Sequence, residues 1–187
     1  MRPSGSEPLN LTGQLLVAHP NLRDPNFRKA VLFLSAHDRE EGAHGLVLNR
    51  PTNKSLTDFL PDHELDALGQ IPVYVGGPVG AHELTIVSFD WIAGEAKITF
   101  HSQLSLDQAQ TLAGSGGSRL IRAFVGYAGW AGGQLESELQ QSAWIVQPAT
   151  EAILGDSSNN GIRLRLMKNL GPAFYLLAIA PDDPSLN

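Results

Sequence analysis

The chain has 187 residues, of which 42% are hydrophobic and 17% charged, and its formal net charge at pH 7 is −6. A chain of this length and composition is expected to be globular, with a sizeable core. The absence of cysteine excludes disulfide frameworks, zinc–thiolate sites, iron–sulfur clusters and thiol catalysis. The acidic balance and the scattered Lys and Arg residues predict no strong nucleic-acid binding, because phosphate neutralisation needs a basic face.

Residues 1–10 are predicted to form a flexible tail, and residues 11–187 a single domain. The tail contains no apolar core long enough for a signal peptide. No segment of the chain approaches the ~20 apolar residues that a membrane helix needs. We therefore expect a cytoplasmic protein without membrane association.

The first half of the chain has the pattern of short strands separated by loops rich in proline, asparagine and glycine. Strands are expected at Gln14–Ala18, Ala30–Ala36, Gly45–Asn49 and Val73–Val75. The run at 30–36 is apolar throughout, which predicts a strand buried on both faces. Before the last of these strands, Ser55 is placed to cap a short helix through Leu60, with Asp58 as its capping-box partner.

The second half mixes strands with helices. In chain order, we expect strands at Glu83–Phe89 and Lys97–His101, a helix capped by Ser105 and closed by Gly114, a strand at Leu120–Tyr127, a helix at Gln134–Gln141, and strands at Ala143–Gln147 and Phe174–Ala180. Segment 161–172 begins with a strand-like alternation, but the spacing of Ile162, Leu166 and Leu170 and the Gly-Pro that follows favour a helix. Many short strands with three or four helices, without regular β–α alternation, predict an α+β fold.

The sequence contains none of the following common enzyme motifs. None of the six histidines has a metal-binding spacing; His82-Glu83 begins like H-E-x-x-H, but position 86 is Ile. The G-x-S-x-G motif of serine hydrolases, the phosphate-binding loop with its lysine, and the dinucleotide fingerprint are all missing. The sequence therefore predicts no metal and no cofactor. A catalytic site assembled from distant residues stays open.

Two glycine-rich corners remain. The first is VYVGGPVG at 73–80, where paired glycines follow a strand and Pro78 fixes the exit of the chain. The second is FVGYAGWAGGQLESEL at 124–139, a strand, a turn and a helix start. Glu136 in the first turn of that helix complements the helix dipole and disfavours an anion site. Each corner is either a packing device or the floor of a binding groove; burial of Tyr127 and Trp130 decides between these two interpretations.

Five ordered blocks of the sequence resemble the YqgE/AlgH family of bacterial proteins. They are LTGQLLVAHPNLRDPNFRKAVLFL at 11–34, GAHGLVLNRP at 42–51, VYVGGPV at 73–79, FVGYAGWAGGQLESEL at 124–139 and the terminal DPSLN at 183–187. Two features depart from the family pattern: the turn after Trp130 has AGG where a Gly-Pro-Gly-like turn is more usual, and segment 151–168 lacks the tryptophan of the late helix.

The resemblance implies a bent mixed β-sheet forming a barrel-like core, flanked by three to four helices. It implies little chemistry, because most members are uncharacterised. The AlgH name reflects a proposed regulatory role in alginate production, sometimes extended to a transcriptional regulator. This sequence contains no helix-turn-helix and no basic face, so direct DNA binding does not follow from that name.

Three functions are therefore compared. The first is a non-catalytic binding or regulatory module with a protein or small-molecule partner, in which a groove is lined by Asn49, Arg50, Gly76, Gly77, Tyr127, Trp130 and Gln134. The second is an enzyme of unrecognised type acting on a phosphorylated or nucleotide-like compound, with Arg50 holding the anion and His44 or Asp24 as base. The third is direct transcriptional regulation through DNA. The first is preferred, and the sequence leaves the ligand, the partner and the oligomeric state open.

Overall fold

Nine strands and six α-helices make up the computed structural model, which describes residues 10–92, 98–155 and 161–180. The strands are β1 (Gln14–Ala18), β2 (Val31–Asp38), β3 (Gly42–Val47), β4 (Pro51–Ser55), β5 (Pro72–Val75), β6 (Val79–Trp91), β7 (Ile98–His101), β8 (Arg119–Trp130) and β9 (Trp144–Pro148). The helices are α1 (Leu56–Phe59), α2 (Leu106–Gly114), α3 (Gln134–Gln140), α4 (Glu151–Leu154), α5 (Gly161–Asn169) and α6 (Pro172–Ile179), and a 3₁₀ helix spans Asp66–Gln70. Except for Asn10, the tail expected at 1–10 lies outside the described residues.

The strands form one mixed sheet. Strands β4, β5, β8, β3, β2, β1 and β9 follow one another, and β6 joins β7 to β8. Strands β5 and β8 run parallel, and the other pairs run antiparallel. The α+β class and the mixed sheet are confirmed. Because β4 and β9 remain as edges, the sheet does not close, and "barrel-like" describes it only loosely.

Strands β1 and β2 are buried on both faces because alternate side chains enter different clusters. Leu15 and Val17 pack in the main core with Phe33, whereas Leu16 and Leu32 pack in a second cluster beneath α3. The main core also takes side chains from β3, β5, β6, β8, α4 and α5. A third cluster lies between α1, the 3₁₀ helix, α2 and the strands β5, β6 and β8. Residues 30–34 of the apolar run are thus buried on both faces, as their pattern predicts, whereas Ser35 is half-buried and Ala36 is exposed.

The two predicted helix caps are confirmed. The backbone N–H of Ser55 donates to Asp58 Oδ2 at 2.8 Å, which closes the capping box of α1. At α2, Ser105 Oγ accepts from the N–H of Gln108 at 3.2 Å, and Gln108 Oε1 accepts from the N–H of Ser105 at 2.9 Å. The expected number of three to four helices is too low, because segments 151–154 and 172–179 are also helical.

The strand predicted at Phe174–Ala180 is wrong, since this segment is the helix α6. Pro172 occupies the first turn, where the missing N–H of proline costs no hydrogen bond. Phe174 and Ala178, four residues apart, pack on the main core, while Leu176 and Leu177 are 62% and 50% exposed. None of the helices in the described ranges has the length and apolar character that a bilayer crossing requires.

Candidate functional site

The Gly76–Gly77 corner inserts the end of β5 between β3 and β8. The N–H of Val47 donates to Gly76 O, and the N–H of Gly76 donates to Val125 O, both at 2.8 Å. A Cβ on Gly76 would lie 2.2 Å from Gly126 O, and a Cβ on Gly77 would lie 2.2 Å from Tyr127 C and O. Close backbone packing therefore accounts for both glycines, and a ligand-binding role for them stays a prediction.

Gly126 shifts the alternation of β8. Its φ is +69°, a left-handed conformation that favours glycine. Phe124 and Tyr127 are three residues apart, yet both pack against the main core. In an uninterrupted strand, residues three apart point to opposite faces. The bulge thus turns Tyr127 toward β3, where its ring stacks on His44 with the centroids 4.3 Å apart.

His44 also contacts a serine on the neighbouring strand. Ser35 Oγ lies 2.7 Å from His44 Nδ1 and 3.1 Å from His44 O. Ser35 sits where the pairing of β2 with β3 shifts by one residue, between Leu34 and Ala36. Burial lowers the pKa of His44 below its ordinary 6.5, which favours the neutral imidazole at pH 7.

An apolar rim surrounds this aromatic pair. Val79 is paired with Tyr127 across β6 and β8 and is 42% exposed. Gly129, also exposed, has no side chain to cover the ring; a Cβ there would lie 3.4 Å from Tyr127 Cε2. We call the set Ser35, His44, Val79 and Tyr127 the tyrosine patch.

Trp130 does not belong to the tyrosine patch. Its side chain packs in the second cluster and is only 5% exposed. The indole Nε1 donates to Glu138 Oε2 at 2.9 Å, and Gln134 Nε2 donates to Glu138 Oε1 at 2.9 Å. Trp130 is therefore a packing anchor that fixes α3 to the sheet, and Gln134 lies beside it on the exposed side of α3.

Asn49 and Arg50 lie beyond the end of β3 and hold the turn before β2. Asn49 Oδ1 accepts from the N–H of Val31, and its Nδ2 donates to Lys29 O, both at 2.9 Å. Arg50 Nη2 donates to Arg28 O at 3.3 Å. Burial lowers the pKa of Arg50, and the charge of Asp24 acts in the opposite direction. Asp24 is thus close enough to Arg50 to act on it electrostatically, whereas His44, the other predicted base, lies in the first half of β3.

The glycine turn after Trp130 borders a polar cavity. This cavity has a volume of about 620 Å³ and is lined by Asp38, Arg39, Glu40, Gly132 and Gly133. The N–H of Gly133 donates to Arg39 O at 2.9 Å, so the turn is tied to the β2–β3 loop. The pKa of Asp38 is lowered by hydrogen bonds from the backbone N–H groups of Glu41 and Glu40. Over the described ranges, no three His, Asp or Glu side chains are grouped to hold a metal ion.

Sequence reasoning missed Ser35 and Glu138. The Ser35–His44 pair depends on a shift in strand pairing, which leaves no mark in the sequence. Glu138 had a partial signal, because it follows Gln134 by one helical turn and faces the same way. Its two indole partners, Trp130 and Trp144, come together only in the folded sheet.

Known proteins resemble the chain over nearly its full length. The profile of a family described as AlgH-like matches residues 15–174. A UPF0301 protein of Streptomyces avermitilis is 37% identical over 195 residues, covering 97% of this chain and 98% of that protein. A UPF0301 protein of Thermobifida fusca is 33% identical over 192 residues, covering 96% of each chain.

Two solved structures have the same fold. The solution structure of the AlgH protein from Pseudomonas aeruginosa matches with a TM-score of 0.66 and 32% identity, covering 96% of this chain and 99% of that one. The crystal structure of a protein from Corynebacterium diphtheriae matches with a TM-score of 0.71, 20% identity and 95% coverage of both chains, a likeness that extends to the fold alone. The chain therefore belongs to the AlgH-like family, UPF0301.

Proposed function

We propose that the protein is a non-catalytic binding and regulatory module of the cytoplasm, and that the tyrosine patch is its binding surface for a partner protein. The observation that carries this proposal is the stacking of Tyr127 on His44 beside the exposed Val79. A half-buried tyrosine held rigid by a neighbouring ring, with an apolar rim, is the kind of anchor that protein interfaces use. Of the other residues predicted to line a groove, the Gly76–Gly77 corner lies next to this surface. Trp130 does not, because it packs in the second cluster.

Capture from extract of the native cells tests this function. Val79→Glu places a charge in the rim at an exposed strand position. Ile92→Glu makes the same exchange at a residue that is 65% exposed and lies outside the patch. We expect at least one protein to be retained by the wild type and by Ile92→Glu but lost with Val79→Glu, as quantified by mass spectrometry. A set of captured proteins that is identical for all three baits contradicts the proposal.

The Ser35–His44 contact supports the enzyme hypothesis as a second candidate. An Oγ 2.7 Å from a neutral imidazole nitrogen is the spacing that an activated serine needs. In such a step, Oγ attacks a phosphorus or acyl centre, the hydroxyl proton moves to Nδ1, and the leaving group departs with its bonding electrons. The backbone carbonyl oxygen of His44, 3.1 Å from Ser35 Oγ, competes with Nδ1 for the hydroxyl proton. When the hydroxyl donates to this carbonyl, the imidazole does not activate Oγ.

A fluorophosphonate separates the two candidates, since it phosphonylates an activated serine with loss of fluoride. An enzyme of this type is labelled at Ser35, and the labelling rate falls sharply in His44→Gln. The binding module is not labelled at Ser35 above the level of its other serines. Peptide mapping by mass spectrometry locates the label. Circular dichroism of His44→Gln verifies that the variant is folded.

A further inference from the structure

A cleft on the outer side of β6, between α1 and the start of α2, has the size of a small-molecule site. Its volume is about 490 Å³, within the range of roughly 300–1,000 Å³ that ligand pockets occupy. The floor is formed by leucine side chains that are only partly buried, namely Leu60, Leu84, Leu104 and Leu106. The N–H of Leu104 donates to Ile86 O at 2.9 Å, which fixes the floor to the sheet.

Three polar side chains line the same cleft: His63, Glu83 and Gln103. Among residues 10–92, 98–155 and 161–180, no hydrogen bond or ion pair engages the imidazole of His63, the carboxylate of Glu83 or the amide of Gln103. The cleft therefore offers one negative charge, hydrogen-bond donors from an amide and an imidazole, and an apolar floor. These groups complement a ligand with an ammonium group, a carboxylate and an apolar side chain.

The backbone at Gln103 supports a role for its side chain. Its φ is +55°, a left-handed conformation that costs a non-glycine residue folding free energy. Glycine adopts this conformation without that cost, so chain geometry alone does not account for an amide side chain here. Strained positions of this kind occur at binding sites, where the surrounding structure compensates for the strain.

We infer that this cleft binds an apolar α-amino acid, with its ammonium group on Glu83, its carboxylate on Gln103 and His63, and its side chain on the leucine floor. The test of this inference needs no partner protein, so it can fail or succeed whatever the outcome for the proposed function. Glu83 nevertheless lies near the patch: a Cβ on Gly80 would be 3.0 Å from Glu83 Oε2 and 3.4 Å from Tyr127 Cε1.

The test is a titration with L-leucine followed by ¹H–¹⁵N NMR of the full chain. A ligand of about nine non-hydrogen atoms binds in the millimolar range at ordinary ligand efficiency, so the titration extends to about 50 mM. We expect saturable shifts at the amides of Thr85, Leu104 and Leu106. N-acetyl-leucine lacks the ammonium charge and should shift them at least tenfold less at equal concentration. Leucinamide lacks the carboxylate, and equal binding of leucinamide and leucine would overturn the assignment of His63 and Gln103.

Two variants locate the site. Glu83→Gln removes the charge that holds the ammonium group, and Gln103→Gly removes the amide while relieving the backbone, so the latter should melt at the wild-type temperature or above. Both should reduce leucine affinity at least tenfold. Glu64→Gln is the matched control, because it removes a nearby exposed carboxylate that does not line the cleft. Absence of saturable shifts in the wild type, or unchanged affinity in Glu83→Gln, overturns the proposal.

Discussion

Trp130 and Trp144 donate their indole N–H groups to the same carboxylate oxygen, Oε2 of Glu138, at 2.9 and 2.7 Å. Both rings are 5% exposed. They also pack against Phe27, which stacks on Trp130 at 6.2 Å and meets Trp144 edge-on at 5.7 Å. One carboxylate of α3 thus satisfies two nearly buried donors and ties β8 to β9, while Phe27 brings the loop before β2 against the same two rings.

Glu138→Ala is expected to lower the free energy of unfolding by about 2–6 kcal/mol, because it leaves two nearly buried indole N–H groups without an acceptor, at about 1–3 kcal/mol each. Glu138→Gln keeps an acceptor oxygen and should lose clearly less. Urea unfolding followed by tryptophan fluorescence measures both. Glu40→Ala, at an exposed position, should stay within about 0.5 kcal/mol of the wild type. Equal losses for Glu138→Ala and Glu138→Gln would contradict the acceptor role.

Replacing a glycine by alanine is expected to change the stability by an amount that depends on what the added Cβ meets, with the largest loss at Gly76. Gly76→Ala places a Cβ 2.2 Å from Gly126 O, and relieving this contact shifts the backbone, at a cost of about 3 kcal/mol, the upper end of the usual range for overpacking. Gly133→Ala has open space but a φ of +75°, so it should cost about 1–2 kcal/mol.

Gly114→Ala is the matched control for these glycine variants. This residue is the last in α2, and nothing lies within 4 Å of the position that a Cβ would take there. Alanine is the better helix former, so the variant should gain up to about 1 kcal/mol. Thermal melting of the three variants checks the order, and a Gly76→Ala protein as stable as Gly114→Ala would refute the backbone contact.

The reciprocal capping box of α2 predicts coupling between two side chains. Ser105→Ala removes the acceptor for the Gln108 N–H and should cost about 1 kcal/mol. Gln108→Ala frees the Ser105 N–H. Because each bond holds the other in register, the double variant should lose less than the sum of the singles, by about 0.5 kcal/mol. Strict additivity in urea unfolding would show that the two bonds act separately.

The sequence predicted correctly those features that depend only on residues close together in the chain, such as helix caps. Ser55 and Ser105 start helices as expected, because a cap needs only residues three apart. The strand expected at Phe174–Ala180 failed, because a short apolar run fits a helix and a strand equally well. Its Gly-Pro start was the better guide, since Pro172 stands in the first turn of α6.

The candidate site was less predictable because its contacts join distant strands. The glycines at 76, 77 and 126 were visible as a corner, but no local pattern indicated that Gly126 shifts the alternation of β8. Tyr127 and Trp130 both follow the bulge and are three residues apart, so they point to opposite faces of β8 and pack in different clusters. The prediction of one groove overlooked this alternation, whereas the bulge decides which of the two faces Tyr127 joins.

Burial of His44 predicts a pH dependence that one substitution should remove. The pKa of His44 is lower in the folded protein than the ordinary 6.5, so on acidification the unfolded chain takes up this proton first. A proton bound more tightly by the unfolded state favours unfolding. The stability linked to His44 is thus fully present above about pH 6.5 and is lost as the pH falls through the folded pKa.

His44→Gln cannot titrate, so its free energy of unfolding should fall less than that of the wild type between about pH 7.5 and 5.5. Urea unfolding at several pH values in this interval gives the difference. His82→Gln, at an exposed position, is the matched control for the loss of one imidazole. If the free energy of unfolding of both variants changes with pH by the same amount, burial of His44 is not the cause of the pH dependence. His44, in contact with Ser35, would then take up a proton as readily in the folded protein as in the unfolded chain.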